Sequence, residues 1–109
     1  MLPVAIDAMG GDDAPEPNVA AAHTALDDGI PVVLVGPGDL PGRERPDGTT
    51  IELVEASEVI GMLDDPASGV RRKKDSTLVR AAEAVRDGKA SAMISAGNTG
   101  ATMAAALLR

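Results

Sequence analysis

A short apolar run, Ala92-Met93-Ile94, leads into Ser95-Ala96-Gly97-Asn98-Thr99-Gly100-Ala101 and then into a helix-like run from Thr102 to Arg109. This junction constrains the chain more than any other stretch. A strand that turns through small residues into a helix leaves backbone N–H groups unpaired at the positive end of the helix dipole, where an anion can sit. Gly97 and Gly100 permit close approach, and Asn98 and Thr99 add side-chain donors.

The same alternation runs through the rest of the sequence. Pro3 to Ile6 reads as a first strand, followed by the loop Asp7-Ala8-Met9-Gly10-Gly11-Asp12 and by a helix from Asn18 to Asp28 that places Val19, Ala22 and Leu26 on one face. Pro31 to Val35 suits a strand buried on both faces, Ile51 to Val54 is a shorter strand, and Gly36 to Thr50 between them is rich in turn residues. Asp75 to Gly88 returns to helical spacing, with Leu78, Ala82 and Val85 inward, Arg80, Glu83 and Arg86 outward, Asp75 or Ser76 as the cap and Gly88 as the stop. Ala90 to Ile94 is the fourth strand. Strands alternating with helices predict an α/β fold, a doubly wound and mostly parallel sheet whose ligands lie beyond the carboxyl ends of its strands. Both glycine loops fall there, and two such loops can face one cleft.

With 109 residues the expectation is a single domain. Ten Lys and Arg against seventeen Asp and Glu give a formal charge of −7, which argues against a general nucleic-acid surface, because that binding depends on neutralising phosphates. Any anion must therefore be held locally. The chain has no Cys and a single histidine, His23, set within the first expected helix, so neither a Cys–His pair nor a histidine-rich metal site can be assembled. The acidic pairs Asp12-Asp13, Asp27-Asp28 and Asp64-Asp65 could bind a hard cation, but Asp27-Asp28 at a helix end and Asp64-Asp65 before Pro66 are read more simply as turn residues, and no metal or other cofactor is expected. No aromatic residue is present, so the core must be built from Ala, Val, Leu, Ile and Met. The longest apolar run, Met103 to Leu108, falls far short of the ~20 residues of a membrane span, and the N-terminus lacks a secretory pattern, so the cytoplasm is the expected compartment.

Three further features bear on function. Arg71-Arg72-Lys73-Lys74, running into Asp75-Ser76-Thr77, concentrates positive charge in an acidic chain and suits either phosphate or an acidic partner. Gly36-Pro37-Gly38-Asp39-Leu40-Pro41 imitates a dinucleotide fingerprint, but Pro41 stands where its third glycine belongs and no helix follows, which argues against a dehydrogenase-like cofactor site. The segment Asn98 to Arg109 is apolar or small on nearly every side, as in a helix buried all round, so a partner subunit or further chain is expected to cover it.

Ile6-Asp7-Ala8-Met9-Gly10-Gly11-Asp12, Glu58-Val59-Ile60, Arg72-Lys73-Lys74-Asp75-Ser76 and Ser95-Ala96-Gly97-Asn98-Thr99-Gly100-Ala101, in this order, closely resemble the N-terminal part of the PlsX-type phosphate acyltransferases. The resemblance implies an isocitrate/isopropylmalate dehydrogenase-like fold, of which residues 1–109 represent about the first third. It implies a bacterial enzyme of phospholipid synthesis that transfers a fatty acyl group from acyl carrier protein to inorganic phosphate, giving acyl phosphate without metal or nucleotide. It further implies a cytoplasmic homodimer that can associate peripherally with membrane and has no nucleic-acid partner. The alternative is a non-catalytic phosphate-binding or dimerisation module.

Carried onto this sequence, the motifs assign Asn98 and Lys74 to catalysis. Asp7, Gly10, Gly11, Asp12, Arg72, Lys73, Ser76, Ser95, Gly97, Thr99 and Gly100 are assigned to substrate and phosphate binding. Two positions depart from the family pattern. Asp13 replaces the usual His, which would weaken phosphate binding if it faced the ligand, and Thr77 replaces the second of two serines while keeping a hydroxyl. Because phosphate can attack a thioester directly, no enzyme nucleophile is needed, and positioning by N–H donors with charge offset by Arg72, Lys73 or Lys74 suffices.

Overall fold

The Val-rich run after Pro31 is buried at every position, as a strand covered on both faces must be. The computed structural model describes residues 1–108. In chain order the elements are β1 (Val4–Asp7), α1 (Glu16–Asp27), β2 (Val32–Gly36), β3 (Leu53–Glu55), α2 (Pro66–Arg72), α3 (Thr77–Arg86), β4 (Ala92–Ile94) and α4 (Thr99–Leu108). The strands form one four-stranded sheet in the order β3-β2-β1-β4, and every pairing is parallel.

Alternation along the strands separates two layers of core. Ile6, Val32 and Leu34 face α1, where Val19 and Ala22 pack against them. Ala5, Val33 and Val35 face the other way, onto Ala81 and Ala84 of α3. A third cluster joins Ile60, Val70, Leu78, Val79, Ala101 and Ala105, and so ties α2, α3 and α4 together. Alanines at so many of these contacts let helices lie close to the sheet, which is how a core without aromatic rings stays filled.

The order of strands fixes where a ligand can enter. From β1 the chain winds outward through β2 and β3, then returns to lay β4 on the opposite side of β1. The adjacent βα loops therefore diverge above β1 and β4, opening a crevice at the carboxyl ends of these two strands. Asp7 and Ser95 stand at its base.

One expectation needs correction. Asp64 closes a turn as expected, its N–H donating to the Gly61 carbonyl at 3.1 Å, but Asp65 begins a helix: its carboxylate accepts the Ser68 N–H at 2.9 Å as the N-cap, and Pro66 takes the first helical position. With Gly69 inside it, this seven-residue helix has poor intrinsic propensity and is held by packing. A Cβ at Gly69 would lie 3.0 Å from Ile60, and Val70 is buried. α4, expected to need cover from a partner subunit or further chain, has Ala101 and Ala105 in the core but leaves Met103 62% and Leu107 81% exposed. Arg109, the end of the expected helix, lies outside the described residues.

Candidate functional site

The base of the crevice is a relay of three hydrogen bonds. Asp7, the last residue of β1, is 2% exposed. Its Oδ1 accepts the Met9 N–H at 3.0 Å, and its Oδ2 accepts the Ser95 hydroxyl at 2.8 Å. The Ser95 oxygen in turn accepts the Gly97 N–H at 3.0 Å. A carboxylate taken out of water needs such donors, and here they come from both loops.

Glycine is required where the loops meet. A Cβ on Gly10 would stand 2.8 Å from the Gly97 nitrogen, 2.8 Å from Ser95 Oγ and 3.0 Å from Asp7 Oδ2. Gly11 follows at φ +95°, a left-handed conformation that L side chains adopt only with strain. Asn18, near the start of α1, holds this loop from behind by donating to the Ala8 and Gly10 carbonyls at 2.9 and 2.8 Å. Asp12 and Asp13 project outward, exposed.

Above β4, Asn98 is buried and caps α4. Its Oδ1 accepts the Ala101 N–H at 3.0 Å, while its Nδ2 donates to the Gly61 and Asp64 carbonyls at 3.0 and 3.1 Å. The amide is thus committed to the helix start on one side and to the 59–65 loop on the other. The exposed Thr99 and the adjacent Gly100 are the first residues of α4, and their N–H groups have no acceptor among the described residues. Gly100 serves close packing as well, since a Cβ there would lie 2.6 Å from Pro66 Cγ.

The basic segment forms a separate cluster at the carboxyl end of α2. Lys73 is turned inward, its Nζ donating to the Val59 carbonyl at 2.9 Å and to Asp64 Oδ2 at 2.8 Å. This lysine and the Gly61 N–H hold the Asp64 carboxyl below its usual range. Arg72 and Lys74 are exposed. Ser76 is buried and caps α3 by accepting the Val79 N–H at 3.2 Å. Beside it, the Thr77 hydroxyl is buried without a partner among the described residues. Asp75 accepts the Ser57 hydroxyl and N–H and the Arg80 guanidinium, which lower its pKa to about 2.

The structure therefore brings Asp7, Gly10, Ser95 and Gly97 into direct contact, with Thr99 and Gly100 next along the second loop. Arg72, Lys73, Lys74 and Ser76 belong to the other cluster, joined to the crevice through the 59–65 loop by Lys73, Asp64 and Asn98. Sequence reasoning missed Asn18 and Asp64 as builders of the site. Their bonds cross loops whose paths no local pattern reveals, although an Asn near a helix start is a recurrent donor to the preceding turn. His23 lies away from the crevice, its ring between the Gly42 carbonyl and Arg45. Among the described residues, no group of three or more His, Cys, Asp or Glu side chains could hold a metal ion. The Ser95 hydroxyl proton and the Gly97 N–H are spent inside the relay, so the donors left to an anion are the unpaired N–H groups of Thr99 and Gly100.

Comparison with known proteins finds relatives over nearly the whole chain. The model of a family described as fatty acid synthesis protein matches residues 2–109. The phosphate acyltransferase of Pediococcus pentosaceus is 45% identical over 97% of this chain and 31% of its own length. That of Pelobacter propionicus is 46% identical over 95% of this chain and 32% of its own, and that of Desulfitobacterium hafniense 46% over 99% and 33%. The chain thus spans about a third of the length of the curated relatives it matches.

Proposed function

From the premise that the chain belongs to the fatty acid synthesis protein family, we propose that it supplies the phosphate-binding part of an acyltransferase that moves a fatty acyl group from acyl carrier protein to inorganic phosphate. The observation that carries this reading is the contact between the Gly10 and Gly97 loops over the Asp7–Ser95 hydrogen bond, at the point where the strand order reverses. Relatives named phosphate acyltransferase support the reaction class.

In this reading the N–H groups of Thr99 and Gly100 hold phosphate oxygens, and the Gly10-Gly11 turn lets the anion approach the backbone. A phosphate oxygen attacks the thioester carbonyl carbon. The tetrahedral intermediate collapses with rupture of the C–S bond, the carrier leaves as thiolate and takes up a proton from solvent, and acyl phosphate remains. Orientation by hydrogen bonds leaves the phosphate nucleophilic, whereas direct pairing with several cations would quench it. Asp7 and Ser95 are positioning residues, because their polar atoms brace the two loops. Asn98 positions the start of α4. Arg72 and Lys74, exposed in a chain of net charge −7, are the groups that meet the acidic carrier. The reading takes the enzyme as a cytoplasmic homodimer on a dehydrogenase-like scaffold, able to associate peripherally with membrane. The exposed Met103 and Leu107 support a covering partner for α4.

The test compares this chain with a chain of the relatives' length, each mixed with long-chain acyl carrier protein and phosphate. Released carrier thiol and hydroxylamine-trapped acyl phosphate are followed together. Phosphate-dependent formation of both by the longer chain, lost on Gly97→Val, is expected. Turnover that ignores Gly97→Val would remove the crevice from the reaction, and turnover by neither chain would reject the acyltransferase reading.

A further inference from the structure

We infer that Asp64 and Lys73 are positioning residues of the anion site: their ion pair shapes the 59–65 loop into a seat for Asn98, and Asn98 in turn sets the start of α4. The inference rests on the proposed reading of the Thr99 and Gly100 N–H groups as phosphate donors and adds what holds them in place. The seat is built from carbonyls. Asn98 Nδ2 meets the Gly61, Met62 and Asp64 carbonyl oxygens at 3.0, 3.4 and 3.1 Å. Three acceptors around one amide nitrogen fix which way the amide faces, because its oxygen could not take that place. Oδ1 is therefore turned to the Ala101 N–H at 3.0 Å, while the Asn98 carbonyl accepts the Thr102 N–H at 2.9 Å. These bonds hold the first turn of α4 and leave the N–H groups of Thr99 and Gly100 free.

Carbonyl dipoles that converge repel one another, so a loop of this shape has to be tied. The ties come from the Asp64 side chain. Its Oδ2 accepts both the Gly61 N–H and the Lys73 ammonium at 2.8 Å, and the same ammonium donates to the Val59 carbonyl at 2.9 Å. Lys73 is the C-cap residue of α2, so one cation fastens both ends of the loop to the end of that helix.

Charge gives the inference a sign of its own. If the two residues acted on phosphate directly, removing the Asp64 carboxylate would lessen repulsion and release Lys73, and phosphate would bind more tightly. Acting through Asn98, the same change loosens the seat, and phosphate binds more weakly.

Titration of ¹⁵N-labelled Asp64→Asn, Lys73→Met and Lys73→Arg proteins with inorganic phosphate, read at the Thr99 and Gly100 amides, tests the assignment. The side chains of Lys73 and Asp64 are 37% and 38% exposed, so loss of the pair costs little global stability, and Asp64→Asn keeps an acceptor for the Gly61 N–H. Phosphate affinity should fall about three- to tenfold in Asp64→Asn and in Lys73→Met. The double variant should bind no worse than either single one, and Lys73→Arg should stay within about twofold of the parent. The chain carries two side-chain amides, Asn18 and Asn98. In Lys73→Met the Asn98 NH₂ signals should shift while those of Asn18 stay in place, a signature that a general loss of stability would not give. Tighter binding by Asp64→Asn, or unchanged affinity in Asp64→Asn and Lys73→Met while the parent shows saturable shifts at Thr99 and Gly100, would overturn the positioning role and leave the anion site standing. A parent without saturable shifts at these two amides would overturn both.

Discussion

Replacing Gly10 with alanine should separate the two loops. Its φ is not positive, so the backbone itself carries no penalty, and the effect is purely one of contact. The new methyl would fall 2.8 Å from both the Gly97 nitrogen and Ser95 Oγ, well inside the closest approach of a real Cβ. Backbone cannot yield as a flexible side chain can. Overpacking of this kind costs about 1–3 kcal/mol. Displacement of Ser95 from Asp7 adds the loss of a hydrogen bond to a charged group, roughly 1.5–3 kcal/mol. The two terms overlap, because the movement that relieves the clash is the one that breaks the bond, so we expect a total of roughly 2–4 kcal/mol. Gly29→Ala is the control: φ is +81° and no atom lies within 4 Å, so only the left-handed strain of about 1 kcal/mol applies. Urea titration should be followed by far-UV circular dichroism, since the chain has no aromatic residue to fluoresce. Gly10→Ala no more destabilising than Gly29→Ala would refute the contact between the loops.

Other consequences are independent of that one. Asn98→Asp keeps the cap of α4 but turns the donors to the Gly61 and Asp64 carbonyls into an acceptor, and should destabilise by about 1–3 kcal/mol; thermal unfolding like the parent's would show that the 59–65 loop does not depend on it. The Asp75 carboxyl is depressed from 3.8 to about 2, chiefly by the Ser57 hydroxyl and Arg80. Its contribution to stability is therefore complete above the unfolded value and is lost as pH falls through that window. Asp75→Asn should flatten acid unfolding there, and an unchanged profile would contradict the bonds to Ser57 and Arg80. Arg45 can only donate to His23 Nδ1, at 3.0 Å, which leaves the proton on Nε2 facing the Gly42 carbonyl at 2.8 Å. Imidazole ¹⁵N shifts at pH 8 should report the Nε2–H tautomer, and the Nδ1–H form would show that the ring does not bridge these groups. Thr77→Val removes a buried hydroxyl that has no partner among the described residues, so its stability in urea should be unchanged or raised by about 1 kcal/mol; a clear loss would reveal a partner for that oxygen.

Wherever apolar periodicity and glycine placement agreed, sequence disclosed structure. The buried run through Val32 to Val35, the helix led by Ser76 and the strand before Ser95 all stand within a few residues of their expected bounds. The crevice was legible because Asp7-Ala8-Met9-Gly10-Gly11 and Ser95-Ala96-Gly97 each follow a strand, and an all-parallel sheet sends both to one end. α2 escaped because its stability is tertiary: Gly69 weakens it locally while allowing Ile60 to approach. The inward turn of Lys73 escaped for a related reason. A run of cations looks uniform in sequence, and only the fold of the 59–65 loop separates the lysine bound to Asp64 from its exposed neighbours. Asn98 likewise carried a donor's signature, but which groups it would serve depended on a loop more than thirty residues away.

Amide chemical shifts of ¹⁵N-labelled protein during titration with inorganic phosphate give the most direct test of the central claim, that the crevice over Asp7 and Ser95 is an anion site. Saturable shifts confined to Gly10, Gly11 and Ala96 through Gly100 are the predicted result. Shifts centred on Arg71 to Lys74 with the glycine loops silent, or no saturable shift at any phosphate concentration, would contradict it.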